Sequence, residues 1–327
     1  MGSSAGVWTV SLRNVRPASS ASAALPWRRY IHPGMTLTTT IGLGTILLIP
    51  LCSVMGAGPA QAQTGEGRSA LAHYRLGGVP SHRLKLSSEL AEISGIGFTS
   101  DGRLLGHGDE RGTIWQIDPA TGEVGKRFGF GSHGHLLRGD FEDIQVVGQR
   151  IFLVTSAGRI FEGREAANGV VIDAVPRSPG LGGACEIEGM ASDPSTRSLL
   201  LLCKQVQSKR WRGAVVILAI SIDTWRFEPE PRILIRQKAL ERVTGAKQFA
   251  GSAIVRHPRT ATYLLLAGPQ QAYAEVSATG EVLGGGRLPT ELHHQPEGIA
   301  IGPDLTLFIS DEAAGKHATL TAYAYHR

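Results

Sequence analysis

Aromatic side chains make up only 6% of this 327-residue chain. That is too few for the stacking platforms on which proteins hold single-stranded nucleic acid. A working excess of one charge is missing as well. The formal net charge is +5, but four of the basic residues (Arg13, Arg16, Arg28 and Arg29) fall within the first 62 positions, where there is no acid. The remainder is close to balanced, so no polyanion-binding signal is left and nucleic acid is excluded as a partner. Residues 63–327 also lack a GxSxG elbow, an HExxH helix and a phosphate-binding P-loop, which removes the common serine-hydrolase, zinc-protease and nucleotidase signatures. Cysteine is nearly absent, at three residues.

No apolar run reaches the roughly 20 residues that a bilayer span requires. The longest, residues 40–54 (TIGLGTILLIPLCSV), follows Arg28 and Arg29 and precedes AGPAQAQ. A basic flank, a short apolar run and small residues at Ala60 and Ala62 make a secretory signal, with cleavage expected after Ala62. Membrane contact is expected only if this leader stays as an uncleaved anchor. Leu51 before Cys52 is a poor lipidation site, Arg28-Arg29 leaves twin-arginine export open, and the start lies at Met1 or Met35. Periplasmic or secreted placement follows, in an oxidising compartment that suits a disulfide. Cys185 and Cys203 flank the hairpin CEIEGMASDPSTRSLLLLC, whose DPSTRS turn brings them within bridging reach. Two unpaired buried thiols are the alternative.

Glycine, by contrast, is abundant at 42 residues, and 42% hydrophobic content is ample for a core. One short pattern recurs as EISGIGF, DFEDIQVV, EIEGMAS, AGSAIVRHP and QPEGIAIGP. Its anchor residues are Gly95, Asp143, Gly189, Ala253 and Gly298, spaced by roughly 45 to 65 residues with about four short strands per repeat, the mark of a β-propeller. The expected organisation is a leader over residues 1–62, a polar tether over 63–80 and an all-β domain over 81–327. Five blades are expected, six being the alternative if the long interval after Gly189 hides a degenerate copy. That interval contains FEPEPRILIRQKALERV, read as an edge strand and a short helix. The last blade has three evident strands; residues 84–90 are expected to supply its fourth, closing the ring between the termini and removing exposed edges.

Positions one and three residues before each anchor point to the same face of a strand. They place Glu92, Asp140, Glu142, Glu186, Glu188 and Glu297 around one axis. Like charges so close cannot all stay ionised unaided, so either their pKa values rise or a cation sits among them; oxygen donors favour Ca2+. The acidic pairs Asp109-Glu110 and Asp311-Glu312 stand where they can add ligands at one face, or are merely solvated. His135 leads into the second copy, with Arg138 beside it, and His293 and His294 lead into the fifth. Such histidines are candidates for a general base or an anion contact, against the plainer reading of surface residues. The basic segment with Lys204, Lys209, Arg210, Trp211 and Arg212 reads as a solvated hairpin tip.

Taken together, ExSGI at 92–96, DFEDI at 140–144, EGM at 188–190 and PEGIAI followed by SDE resemble the SdiA-regulated (YjiK-like) family of exported bacterial propellers, over about residues 80–327. Its wider relatives are the esterase-like and phytase-like propellers. The resemblance implies an envelope-associated propeller with a divalent cation in its axial tunnel, held here by Glu142, Glu188 and Glu297 with Glu92 beside them. It departs at Ser252, where a carboxylate would complete the ring, and at Asp143, where the pattern has glycine. The family's name reports regulation of one member and implies no activity. Three readings follow: a monomeric propeller that binds Ca2+ and a small-molecule or anionic ligand, a metal-dependent phosphate or carboxylate ester hydrolase, and a protein-binding scaffold.

Overall fold

A computed structural model describes residues 69–327 apart from residues 179, 182 and 184; the leader, its cleavage point and both candidate starts lie outside these residues. Five sheets follow one another along the chain, each opening on one copy of the recurring pattern. Their innermost strands are Ile93–Phe98, Phe141–Val147, Cys185–Asp193, Ala253–Arg256 and Pro296–Ile301. Each of these five strands packs against the next, and the fifth returns to the first, so the ring closes around an axis. The protein is therefore a five-bladed β-propeller. A sixth blade does not exist among the described residues: the long third interval is taken up by the edge strand Ile233–Arg236 and the helix Gln237–Thr244, which ends at Gly245 in the left-handed conformation (φ 67°) that glycine tolerates.

Antiparallel hairpins build each blade outward from the axis. The cores lie between blades, as five buried apolar clusters, one for each neighbouring pair. Alternation along the strands sends one face to each neighbour, so both faces of every blade are apolar and runs such as SLLLLC become continuous. At roughly 1.5–3 kcal/mol per buried Leu, Ile or Phe, these contacts dominate stability.

Glycine anchors the inner strands because the backbones approach closely there. A Cβ on Gly189 would lie 3.0 Å from Ala253 Cα and 3.0 Å from Ile254 N on the next blade. Asp143, the exception, uses its carboxylate as a clasp. Oδ1 accepts from Ile144 N at 2.7 Å and Oδ2 from Met190 N at 2.6 Å, tying blade two to blade three. Burial holds this carboxyl well above the usual aspartate range.

The closing strand is shorter and earlier than residues 84–90. His82–Lys85 pairs with Thr319–Tyr323 in the fifth blade. Leu86 and Leu90 instead turn into the apolar cluster between blades five and one, which draws the chain off the sheet edge into the short 3-10 turn Ser88–Leu90. Nor is the described part of the tether loose. Ala70, Tyr74 and Leu76 are buried between blades four and five. The fully buried Glu275 accepts from Ser69 Oγ, Ala70 N, Leu71 N and Thr262 Oγ1 at 2.5–3.0 Å, so a carboxylate with four donors fastens this segment.

Cys185 and Cys203 form the disulfide, with Cα atoms 5.7 Å apart and both side chains buried between blades two and three. Replacing both with serine is expected to lower unfolding stability by roughly 2–4 kcal/mol, the usual effect of a bridge closing a short loop. Urea unfolding of the variant checks this, and an unchanged midpoint would refute it.

Candidate functional site

Four of the five inner strands carry a β-bulge at the residue just before the anchor. The register shifts fall between Ile93 and Gly95, Phe141 and Asp143, Ile187 and Gly189, and Pro296 and Gly298. Ser94, Glu142, Glu188 and Glu297 are thereby left without a ladder partner, and a bulge is the standard device for re-aiming a side chain. All four line one axial cavity of about 270 Å³. Blade four contributes no bulge. Its counterpart, Ser252, is buried, accepting from Gly268 N at 3.0 Å and donating to Pro296 O at 3.1 Å.

A second tier comes from the neighbouring strand of each blade. Two residues beyond the anchor's cross-strand partner stand Asp109, Ser156, Lys204, Gly268 and Glu312. Asp109, Lys204 and Glu312 line the same cavity. Ser156 Oγ donates to Asp140 Oδ2 at 2.5 Å and so positions another lining carboxylate. Blade four is neutral in both tiers, which leaves one uncharged side in an otherwise acidic wall.

Below the acidic tiers, the residues just after the anchors close the axis. Ile96, Ile144, Met190, Ile254 and Ile299 are each at most 5% exposed and line the opening at the other end of the axis. The site is therefore a cup: acidic walls on an apolar floor.

Five of the six carboxylates expected on the axis line this cup: Asp140, Glu142, Glu186, Glu188 and Glu297. Glu92 does not; it is exposed and borders an adjoining cavity with Glu110 and Asp109. Of the acidic pairs, Asp109 and Glu312 belong to the cup, whereas Glu110 is exposed and Asp311 is fully buried. Lys204 was read as part of a hairpin tip. It lies in the wall, its Nζ donating to Glu188 Oε1 at 2.8 Å, and it is the single basic residue among the lining residues. Extending the repeat alignment to the second strand of each blade would have found it, since it matches Asp109 and Glu312 in register.

None of the three candidate histidines lines the cup. His293 is fully buried, hydrogen-bonded through Nδ1 to Asp311 Oδ2 at 2.9 Å and through Nε2 to Tyr323 Oη at 2.8 Å. The ring spans the fifth blade instead of facing solvent, because both of its nitrogens find partners inside. His135 is exposed on a short hairpin strand, and His294 borders a different cavity.

With seven carboxylates against one ammonium, the cup resolves its repulsion partly by holding protons. Burial, reinforced by Glu188 and Asp140, pushes Glu142 up to about 9. Burial, with Glu312 and Glu188 nearby, takes Glu297 to about 8, and burial, with Glu92 and Asp109, takes Glu312 to about 7. Glu188 is raised by burial despite its bond to Lys204. Burial alone would lower Lys204, but the bond to Glu188 outweighs it and the ammonium is retained. Among the described residues, no three carboxylate, histidine or cysteine groups form a ready-made coordination shell.

No protein-family model matches this sequence, and no functionally curated protein matches it. Solved structures do show similarity. A glutaminyl cyclase from Myxococcus xanthus superposes with a TM-score of 0.50 at 13% identity, over 76% of this chain and 96% of that one. A luciferin-regenerating enzyme gives 0.47 at 9% identity over 75% and 95%, and a streptogramin B lyase 0.38 at 14% over 76% and 70%. At so low an identity the likeness to the glutaminyl cyclase supports a common fold alone and assigns no family.

The raised carboxyls predict how stability depends on pH. Their folded values lie above the ordinary glutamate value of 4.5, so their contribution is fully present below about pH 4.5 and is lost as pH rises through about 7, 8 and 9. The metal-free protein is therefore expected to melt at progressively lower temperature from pH 5.5 to pH 9. Glu142→Gln with Glu297→Gln should flatten that slope and raise the pH 9 midpoint, at roughly 2–4 °C per kcal/mol recovered. Parallel melting curves for parent and variant across this range would contradict the assignment.

Proposed function

We propose that this protein is an exported propeller whose axial cup binds a hard divalent cation, Ca2+ first among them, in a ligand-binding or envelope-associated role. One observation carries the reading: strands from four blades deliver seven carboxylates to a single cavity in which Lys204 is the one fixed positive charge. The donor chemistry fits. Carboxylates, Ser94 and Gln295 offer oxygen only, with no histidine or cysteine on the wall, which favours Ca2+ or Mg2+ over softer metals. Glu142, Glu188 and Glu297 are the residues that would hold it. The resemblance to SdiA-regulated propellers points to the same axial ion, and the leader supports an exported location. When bound, such an ion supplies a positive centre that neutralises the ring and can polarise an oxygen of a ligand.

A second reading, ester hydrolysis, is favoured by one specific feature. Glu312 and Glu297, at about 7 and 8, exchange protons near neutral pH, as a general acid or base must. Turnover of a nitrophenyl phosphate or nitrophenyl ester panel, lost in Glu297→Gln, separates it from binding alone.

Calcium at 100 times its dissociation constant is expected to stabilise the protein at pH 8 by about 2.7 kcal/mol, reversibly with chelator. Since Glu142 and Glu297 must release protons to become ligands, affinity should rise between pH 6 and 9. Lys204→Met should tighten binding about tenfold, or 1.4 kcal/mol, by removing the competing charge. Urea unfolding with and without Ca2+ reads the first effect and calorimetric titration the other two; absence of saturable binding of Ca2+ or Mg2+ at pH 8 would end the proposal.

A further inference from the structure

A second charged cavity, of opposite sign, adjoins the fifth blade. It has a volume of about 390 Å³ and lies between the closing strand His82–Lys85 and the loops carrying Glu291, His294, Lys316 and His317. Arg83 and Lys85 are two positions apart on that strand, so they project from the same side. Lys316 and His317 come from the loop after the fifth blade's second strand, and His294 from the loop that enters the blade. Glu291 is the single acid on the wall.

Arg83, Lys85, Lys316 and His317 are exposed, and what distinguishes them is that they share the lining of one cavity. Elsewhere the half-buried basic residues have partners: Arg103 and Lys126 share Glu165, Arg150 and Arg177 share Glu162, Arg232 meets Glu228, and Lys204 meets Glu188. Arg83, Lys85 and Lys316 form no ion pair with any described residue, although they face one cavity. Three permanent positive charges and two imidazoles lining one open cavity make a local positive potential that an anion lodged between them would relieve. An arginine fork and two ammonium groups are also the donor set that recognises a multiply charged oxyanion.

We infer that this cavity binds a phosphate group. The chemistry does not depend on the cup, but the two sites share their loops: His294 and Lys316 face the basic cavity, while the nearby Gln295 and Glu312 face the acidic one. A phosphate seated beside His294 would lie next to the loop that supplies Gln295 to the cup. The volume leaves room for the remainder of a small phosphomonoester, and the same donors fit the headgroup of an anionic lipid.

The test uses the intact protein with two probes: inorganic phosphate by calorimetric titration, and co-sedimentation with vesicles of phosphatidylglycerol in neutral lipid. Saturable phosphate binding that falls at least tenfold in Arg83→Ser/Lys85→Ser supports a soluble phosphate ligand. Vesicle binding with the same loss supports a headgroup. Glu142→Gln/Glu297→Gln should leave either signal unchanged, so failure of the cup reading and failure of this one are told apart. Should the strand variant not fold, Lys316→Ser on the loop is read in its place, with an expected weakening of at least threefold. No saturable response to either probe, or binding indifferent to these substitutions, overturns the inference.

Discussion

Close approach of five inner strands around one axis is the constraint on which the rest of the molecule depends. Where the backbones meet there is no room for side chains, so the anchor position is glycine or alanine in four blades and in blade two is an aspartate, Asp143, that uses its carboxyl group to bridge the gap. The residue after the anchor is large and apolar and seals the axis. The residue before it is bulged out of the ladder and can be polar, because it opens on a cavity and not on a neighbouring strand. Packing at one level thus sets the chemistry one residue above and below it.

The chemistry that results is a concentration of negative charge over an apolar floor. Apolar side chains lie beneath the carboxylates; burial is the largest influence on Glu142, Glu297 and Glu312, and repulsion from neighbouring carboxylates adds to it. Protons and one lysine relieve the repulsion. Lys204 depends on the hairpin that the disulfide staples: Cys185 precedes Glu186, Cys203 precedes Lys204, and the two register shifts around Ile187 set Glu188 opposite the ammonium. The bridge therefore holds three cup residues in place as well as stabilising the chain. Blade four, neutral in both tiers, is the side on which a guest meets least charge.

Much of this was legible as repetition. Spacing of the anchors announced five blades, and the alternation of strand side chains was enough to bring Asp140, Glu142, Glu186, Glu188 and Glu297 together. Glu92 followed the same pattern and still lies outside the cup, exposed beside the adjoining cavity, whereas Asp140 and Gln295, which likewise precede their strands, line it; the course of each lead-in loop decides, and the repeat does not encode it. The histidines were legible only as neighbours of the motif. Whether a lead-in residue turns outward or inward depends on partners from other strands, and for His293 those partners, Asp311 and Tyr323, are 18 and 30 residues away. The same holds for residues 69–76, whose polar start conceals Ala70, Tyr74 and Leu76 and whose fastening carboxylate, Glu275, is some 205 residues distant.

By itself the amino-acid sequence determined the all-β repeat architecture, the position of each inner strand and the level at which acidic side chains gather, because these follow from local period and turn chemistry; the choice of five blades over six and of a bridge between Cys185 and Cys203 over free thiols came from the structure. Tertiary structure alone decided that Glu92 falls outside the cup, that His293 is a buried strut, and that Arg83, Lys85 and Lys316 share one cavity. Those facts depend on contacts between separate blades and between the two ends of the chain, and no local pattern encodes the distance between side chains that only ring closure brings together.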